Sequence, residues 1–391
     1  MWYYIIGGYM RNIGIICEYN PFHNGHLYHI NKVKELFPKS NIILVLSGNV
    51  TERGDLSILD KWEKAEIALH FGVDLVVELP FVQSSQAADI FCYGSVKLLS
   101  LLKVDAIVFG SESNDVEQLK KFAHIQLYDK SYNEQVSLLL DKGINYPTAL
   151  SSALREITGV NINSPNDLLG LGYVKEIIKN GYNIEPVTIK RTNDYHASII
   201  TGEISSATSI RLALKNNDNI DKTVPQFVFP YLNKKIYLLE DYFTLLKYKI
   251  LSEPDLTIYQ TVDKDIVARI KKGIVDSYTL DEFIKTIKTK YYTHNRLIRM
   301  CSHILFALTK EEALKKQEIS YIRLLGFSSK GKKHLNSIKK ELEVPLITSY
   351  SNDKDNHLDI EMRVTKILGI LKGQAFIEAE YKNKPIYKEK M

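Results

Sequence analysis

Short apolar runs and helical-period runs take turns along the first half of this chain. Unalternated apolar stretches at 13–17, 41–47, 73–78 and 105–109, and a fifth strand at 184–191, are separated by segments of a different rhythm. There apolar residues recur every three or four positions, as at Leu27, Ile30, Val33 and Leu36 or Phe37. Strands without a polar face, alternating with amphipathic helices, predict a parallel sheet covered on both sides. End signals punctuate the helices. One spans 61–71, with Asp60 as N-cap and Gly72 as stop, another spans 84–102, and a third is opened by Ser164-Pro165-Asn166-Asp167 and runs to about 180. From about 225 long helical patterns dominate, at 237–252, 262–274, 280–289 and 296–308. The expected boundary lies near 216–228, which divides the chain into 10–220 and a mainly helical 221–391.

Composition narrows the class. The chain has 391 residues, 45% hydrophobic and 25% charged, which suits a globular protein of two domains. No apolar run is long enough to cross a bilayer, so no membrane role is expected. The opening Met1-Trp2-Tyr3-Tyr4-Ile5-Ile6 is apolar but short and lacks a basic flank, so it does not read as a signal peptide; residues 1–9 are taken as an extension before the fold. Cys17, Cys92 and Cys301 are scattered without metal-type spacing, which points to a reducing cytoplasm and to neither a disulfide framework nor a bound metal. The net charge of +5 permits an anionic partner without requiring one.

In a parallel sheet, ligands gather beyond the carboxyl ends of the strands. Here those ends fall near His23, 47–53, 80–83 and 110–112. The first carries the most chemistry. Asn20-Pro21-Phe22-His23-Asn24-Gly25-His26 leads from a strand through a turn into an amphipathic helix. A helix start offers unpaired N–H groups and a positive dipole end, and two imidazoles one turn apart add donors. Gly25 lets a ligand approach the backbone. This is the pattern of a nucleotide phosphate site.

Ser205, Ser206 and Thr208 open another helix, with Arg211 one turn on. Alone they read as an N-cap cluster. In a chain that also carries His-x-Gly-His they read as a second clamp, with hydroxyls, N–H groups and a guanidinium on the far phosphates. Other motifs stay open locally. Asn166 is either part of a cap or a reader of ribose or adenine, and Lys190-Arg191 is either a solvated pair or a cation at phosphate. Ser47-Gly48-Asn49 with Glu52-Arg53-Gly54 is either a connection or a pocket wall. Cys17 fits a core position better than a nucleophile. Basic residues in the second half, among them Lys332, Lys333, Lys339 and Lys340, lie in company with tyrosines and suit an RNA backbone weakly.

The two helix-start motifs together resemble the nucleotidyltransferase superfamily, which shares its core with class I aminoacyl-tRNA synthetases. More narrowly, the chain resembles the bacterial tRNA(Met) cytidine acetate ligase family. That likeness rests on the segment from Glu18 to His29, on Ser47-Gly48 with Arg53-Gly54, and on Val73-Asp74-Leu75-Val76-Val77-Glu78-Leu79-Pro80. It continues in Ala88-Asp89-Ile90-Phe91, Phe109-Gly110-Ser111-Glu112, Ser164-Pro165-Asn166-Asp167 and Tyr321-Ile322-Arg323-Leu324-Leu325-Gly326-Phe327. It runs from about Met10 to near the end. Asn49 and Glu52 depart from the residues common at those places.

The resemblance implies an α/β, Rossmann-like parallel-sheet catalytic domain followed by a mostly helical domain that binds tRNA. It implies ATP held by Ile16-Cys17-Glu18-Tyr19-Asn20-Pro21-Phe22-His23-Asn24-Gly25-His26-Leu27-Tyr28-His29, with Gly110, Asn166 and Arg191. The implied reaction makes acetyl-adenylate from ATP and acetate, then acetylates N4 of the wobble cytidine of elongator tRNA(Met). On this reading His23 and His26 act as donors to the α-phosphate, and Mg²⁺ bridges phosphate oxygens. Two rivals remain at this point: an adenylyltransferase acting on a small phosphorylated metabolite, and a protein that senses ATP without chemistry.

Overall fold

A computed structural model describes residues 10–191 and 204–389. The extension read at residues 1–9 lies outside the described residues. Five parallel strands form the frame: β1 (Asn12–Cys17), β2 (Asn41–Ser47), β3 (Leu75–Leu79), β4 (Ala106–Ser111) and β5 (Glu185–Lys190). The helices between them are α1 (Asn24–Leu36), α2 (Lys61–His70), α3 (Phe81–Ser84), α4 (Ala88–Leu101), α5 (Val116–Tyr128), α6 (Lys130–Asp141), α7 (Tyr146–Thr158) and α8 (Pro165–Lys179). Each run of continuous apolar residues has become a strand, and β2 is buried at all seven positions. The Asp60 carboxylate caps α2 by accepting from Trp62 and Glu63 N–H, as the sequence predicts.

The remaining elements are α9 (Ala207–Asn216), α10 (Phe229–Leu232), α11 (Phe243–Ser252), α12 (Lys264–Asp276), α13 (Leu280–Ile287), α14 (His294–Leu305), α15 (Lys310–Lys315), β6 (Ile322–Ser328), α16 (Ser329–Ile338), β7 (Leu346–Ile347), α17 (Asp359–Lys372), α18 (Gln374–Lys382) and β8 (Ile386–Lys388). The sheet order is β5-β4-β1-β2-β3-β6-β7, with β8 also beside β6. β6 runs antiparallel to β3. Two sheet-facing cores cover the faces, and a third core joins α11 to α15 with α17 and with Val50, Leu56, Phe81 and Val82.

Three features differ from the sequence-based expectation. The helix expected at 84–102 is two helices, because Ser85 leaves helical geometry (φ −105°, ψ 48°) and its hydroxyl is spent on His303 in the helical core. The crossover between β4 and β5 carries four helices, and three of them, α5 to α7, lie where no element was expected. The segment 221–391 is mostly helical, yet β6, β7 and β8 return to the sheet, so the sheet is not confined to 10–220. β6 hides in the sequence because Arg323 interrupts it. That residue is fully buried in the strand, with its guanidinium 5.6 Å from the Trp62 ring.

Candidate nucleotide site

Connections from β1 lead one way to β2 and β3, while β4 and β5 lie on its other side. The crevice of such a sheet opens where that order reverses, outside the carboxyl ends of β1 and β4. Exposure follows this rule. β1 is buried from Asn12 to Ile15 and opens at Ile16 and Cys17, and in β4 Gly110 is the half-open position.

The β1–α1 turn holds the two histidines in a fixed pose. His23 is the N-cap of α1, and its Nδ1 accepts from the Gly25 N–H at 3.0 Å. The His23 N–H in turn donates to His26 Nδ1 at 3.2 Å, which closes a capping box made of imidazoles. The rings lie 3.8 Å apart between centroids, with Tyr19 edge-on against His26 at 4.7 Å. Burial, then the nearby Arg191 and Arg211, hold His23 down at about 3, and burial with its neighbour imidazoles holds His26 well below the ordinary range. Both rings are therefore neutral at pH 7. With Nδ1 accepting in each, the ring proton sits on Nε2, and neither Nε2 has a hydrogen-bond partner among the described residues. Gly25 is required by this pose. A Cβ there would lie 2.8 Å from His23 Cε1 and 2.9 Å from Nδ1.

His29 behaves differently. Its Nε2–H donates to the Val108 carbonyl at 3.1 Å, tying α1 to β4, and burial lowers it to about 4. The Asn20 side chain pins the following loop, accepting from Ile58 N–H and donating to Leu56 O, and the Asn24 amide donates to Lys222 O. The second helix start converges on the first. Ser206 caps α9, accepting from Ser209 N–H at 3.1 Å, and Ile204 lies over Gly25. Arg211 donates to the Asn20 carbonyl at 2.7 Å and to Thr208 Oγ1 at 3.3 Å. Ser205 is buried and Thr208 exposed.

At the β4 end, two sequence motifs prove to be halves of one lock. The Asp167 carboxylate accepts from Ser111 Oγ and from the Glu112 and Ser113 N–H groups. Glu112 reciprocates, accepting from Asn166 Nδ2 and the Asp167 N–H. Asn166 Oδ1 then accepts from Arg191 at 3.2 Å, and the Arg191 side chain packs on Gly110. Both ends of the Asn166 amide are thus occupied, Nδ2 by Glu112 and Oδ1 by Arg191.

One group that sequence reasoning passed over, Lys64, shapes the same end of the sheet. Lys64 is fully buried and its Nζ donates to the carbonyls of Glu18, Ser47 and Gly48 at 3.0, 2.7 and 2.7 Å, while burial lowers it to about 7. Glu18 Oε1 accepts from the Glu52 N–H at 2.6 Å, and Glu52 is bound by Arg299 of α14 at 3.0 Å. The signal was available, since Lys61 and Lys64 share a face of α2 with buried Ala65 and Ala68. Cys17 is raised to about 12 by burial, which suits a core thiol.

Lys332 and Lys333 are exposed on α16, and Lys339 and Lys340 are exposed just after it. That helix is anchored by Ser328 Oγ on the Asp74 carboxylate and by His334 Nε2–H on the Leu102 carbonyl, next to the amino ends of β3 and β4. The structure does not bring these lysines to the crevice. A separate groove lies elsewhere. A space of about 720 Å³, lined by Arg11, Asp105, Tyr182 and Glu185, opens at the amino ends of β1, β4 and β5.

A switch-point crevice fed by two helix N-termini, one bearing His-x-Gly-His, defines a nucleotidyltransferase of the HIGH type, and the HIGH Nucleotidyl Transferase family profile matches residues 10–383. A tRNA(Met) cytidine acetate ligase from Anoxybacillus flavithermus is 37% identical over 400 residues, covering 96% of this chain and all of that protein (100%). One from Geobacillus sp. (strain WCH70) is 39% identical over 363 residues, 88% of this chain and 90% of that one. The chain belongs to the tRNA(Met) cytidine acetate ligase family. Crystal structures of Thermotoga maritima TmcAL, apo and bound with alpha-thio ATP, superpose with TM-scores of 0.90 and 0.88 at 30% identity, covering 97% of this chain and 100% of those.

Proposed function

We propose that this chain carries out the reaction its relatives' names state, in two steps, in the cytoplasm. An acetate oxygen attacks the α-phosphorus of ATP, the bond to the β-phosphate oxygen breaks, and pyrophosphate leaves acetyl-adenylate behind. The N4 amine of the wobble cytidine in elongator tRNA(Met) then attacks the acetyl carbonyl, loses a proton and displaces AMP, giving N4-acetylcytidine.

The observation that carries this reading is the tautomer lock. Two neutral imidazoles whose Nδ1 atoms are held by backbone N–H groups present Nε2–H donors without the desolvation cost of a buried cation. Such donors suit the charge that grows on α-phosphate oxygens in the transition state. Ser205, Ser206, Thr208 and Arg211 would hold the leaving pyrophosphate at the start of α9. Arg191 supplies a cation near Gly110, and Asn166 acts through it as a positioning residue. The remaining residues of 16–29 wall the nucleotide, and His29 holds α1 to the sheet. Mg²⁺ that travels with ATP takes mostly water and phosphate oxygens with a carboxylate or two. Asp55, within electrostatic reach of Arg211, would meet it.

The test is exchange of labelled pyrophosphate into ATP without tRNA. Exchange that requires acetate is expected, followed by N4-acetylcytidine when tRNA is added. Exchange that instead requires a phosphorylated metabolite would overturn the reading in favour of an adenylyltransferase.

A further inference from the structure

We infer that the tRNA anticodon loop docks on the segment 288–299 and on the loop 48–58 that it grips, and not on the lysines beside α16. The inference rests on the proposed function and adds the surface on which its second substrate sits.

From Lys288 to Arg299 the chain carries four Lys or Arg, one His and two Tyr, and no acid. Part of this set is a fixed frame. Arg299 holds Glu52, Ser302 donates to the Gly54 carbonyl, and Arg296 pairs with Asp263 while lying 4.4 Å over the Tyr292 ring. Gly54 (φ +84°) leaves no room for a side chain, since a Cβ would lie 2.6 Å from Arg299 Cα. The rest faces solvent: Lys288, Lys290, His294, Asn295, and Tyr291 at 44% exposure. Lys290 stands 4.9 Å from the Tyr291 ring centre.

This edge adjoins the crevice. Arg299 reaches Glu52, whose N–H reaches Glu18, and Glu18 precedes the histidine turn. Asp55, in the loop that Arg299 and Ser302 hold, is within electrostatic reach of both His294 and Arg211. An RNA that puts one base into the crevice must keep its flanking phosphates and neighbouring bases within about one to two nucleotides of it. Cations take those phosphates, and an exposed tyrosine takes an unstacked base. The lysines beside α16 sit a full strand length away, about 17–23 Å at ~3.3 Å per residue. They cannot reach the same phosphates.

Two variants decide it: Lys288→Glu/Lys290→Glu/Tyr291→Ala, and Lys332→Glu/Lys333→Glu/Lys339→Glu/Lys340→Glu. For each, the Kd for tRNA(Met) is measured across a salt series, alongside acetate-dependent pyrophosphate exchange without tRNA. The first variant is expected to weaken tRNA binding about 10-fold or more and to flatten the log Kd against log salt slope by about 1–2. The second should stay within about twofold, and exchange should persist in both. Loss of tRNA binding in the second variant but not the first overturns the surface and leaves the function standing. Absence of acetate-dependent exchange in the parent protein overturns the function itself.

Discussion

The two ends of one sheet make opposite impressions and have opposite chemistry. At the amino ends of β1, β4 and β5 lies the roomy groove, and beside β3 and β4 lie the lysine-rich flanks of α16. At the carboxyl ends two helix starts converge and several buried polar groups are committed to backbone partners. An open groove and exposed lysines mark the first end, and preorganisation marks the second. Nucleotide chemistry needs donors whose direction is fixed before the ligand arrives, because reorienting them during reaction costs free energy. The carboxyl end supplies that, since His23, His26, Asn166 and Lys64 each have their freedom removed by a named hydrogen bond.

The largest expected effect tests that assignment directly. His26→Ala should lower acetate-dependent exchange by about 10²–10³, the usual loss for one transition-state donor, while costing on the order of 1 kcal/mol of stability through the capping box. Near-parent exchange would remove His26 from the chemistry. Gly25→Ala comes next. Its Cβ would displace the His23 ring from the Gly25 N–H, so exchange should fall about 10-fold or more with a melting shift as small as that of a lost cap. Equal losses of activity and stability would mean that Gly25 serves packing alone.

Much of this end could be read before the structure. The run 41–47 is strand β2 residue for residue, and Asp60 caps α2, because continuous apolar runs and side-chain caps are local signals. Both halves of the site were visible as helix starts. Their convergence was not, because the Arg211 bond to Asn20 spans 191 residues of sequence. Asn166 shows a subtler limit. Its motif pointed to the nucleotide, and only the geometry reveals that its amide is spent on Glu112 and Arg191. β6 was missed because a buried arginine in a central strand resembles an edge or a loop, and the partners that tolerate it, Trp62 and Glu380, are far away in sequence.

Acid should loosen the carboxyl end. His23, lowered to about 3, and His29, lowered to about 4, are both neutral when folded, whereas an unfolded histidine takes a proton near 6.5. Between those values the unfolded histidines bind more protons, so their share of the stability is retained above about pH 6.5 and falls as pH drops toward 4, by about 1.4 kcal/mol per unit for each. Glu52, which burial raises to about 7, contributes in the opposite direction. Denaturant unfolding at pH 6.5, 5.5 and 4.5 measures the slope. His29→Gln keeps a donor for Val108 O without a titrating ring, so it should flatten the slope by the share of one histidine. An unchanged slope would mean that His29 is not neutral when folded.

The smallest effect belongs to the amino end. Arg11 and Glu185 bridge at 2.7 Å across the groove, but Glu185 is 49% exposed, so solvent screens the pair. Such a bridge contributes about 0–1 kcal/mol. Glu185→Gln should therefore shift the melting temperature by only a degree or two and leave both exchange and the KM for ATP within about twofold. A several-fold rise in that KM would show that the ends of the sheet are coupled. The separation between a spacious, screened amino end and a preorganised carboxyl end would then fail, because a change remote from every named donor would be felt by the nucleotide.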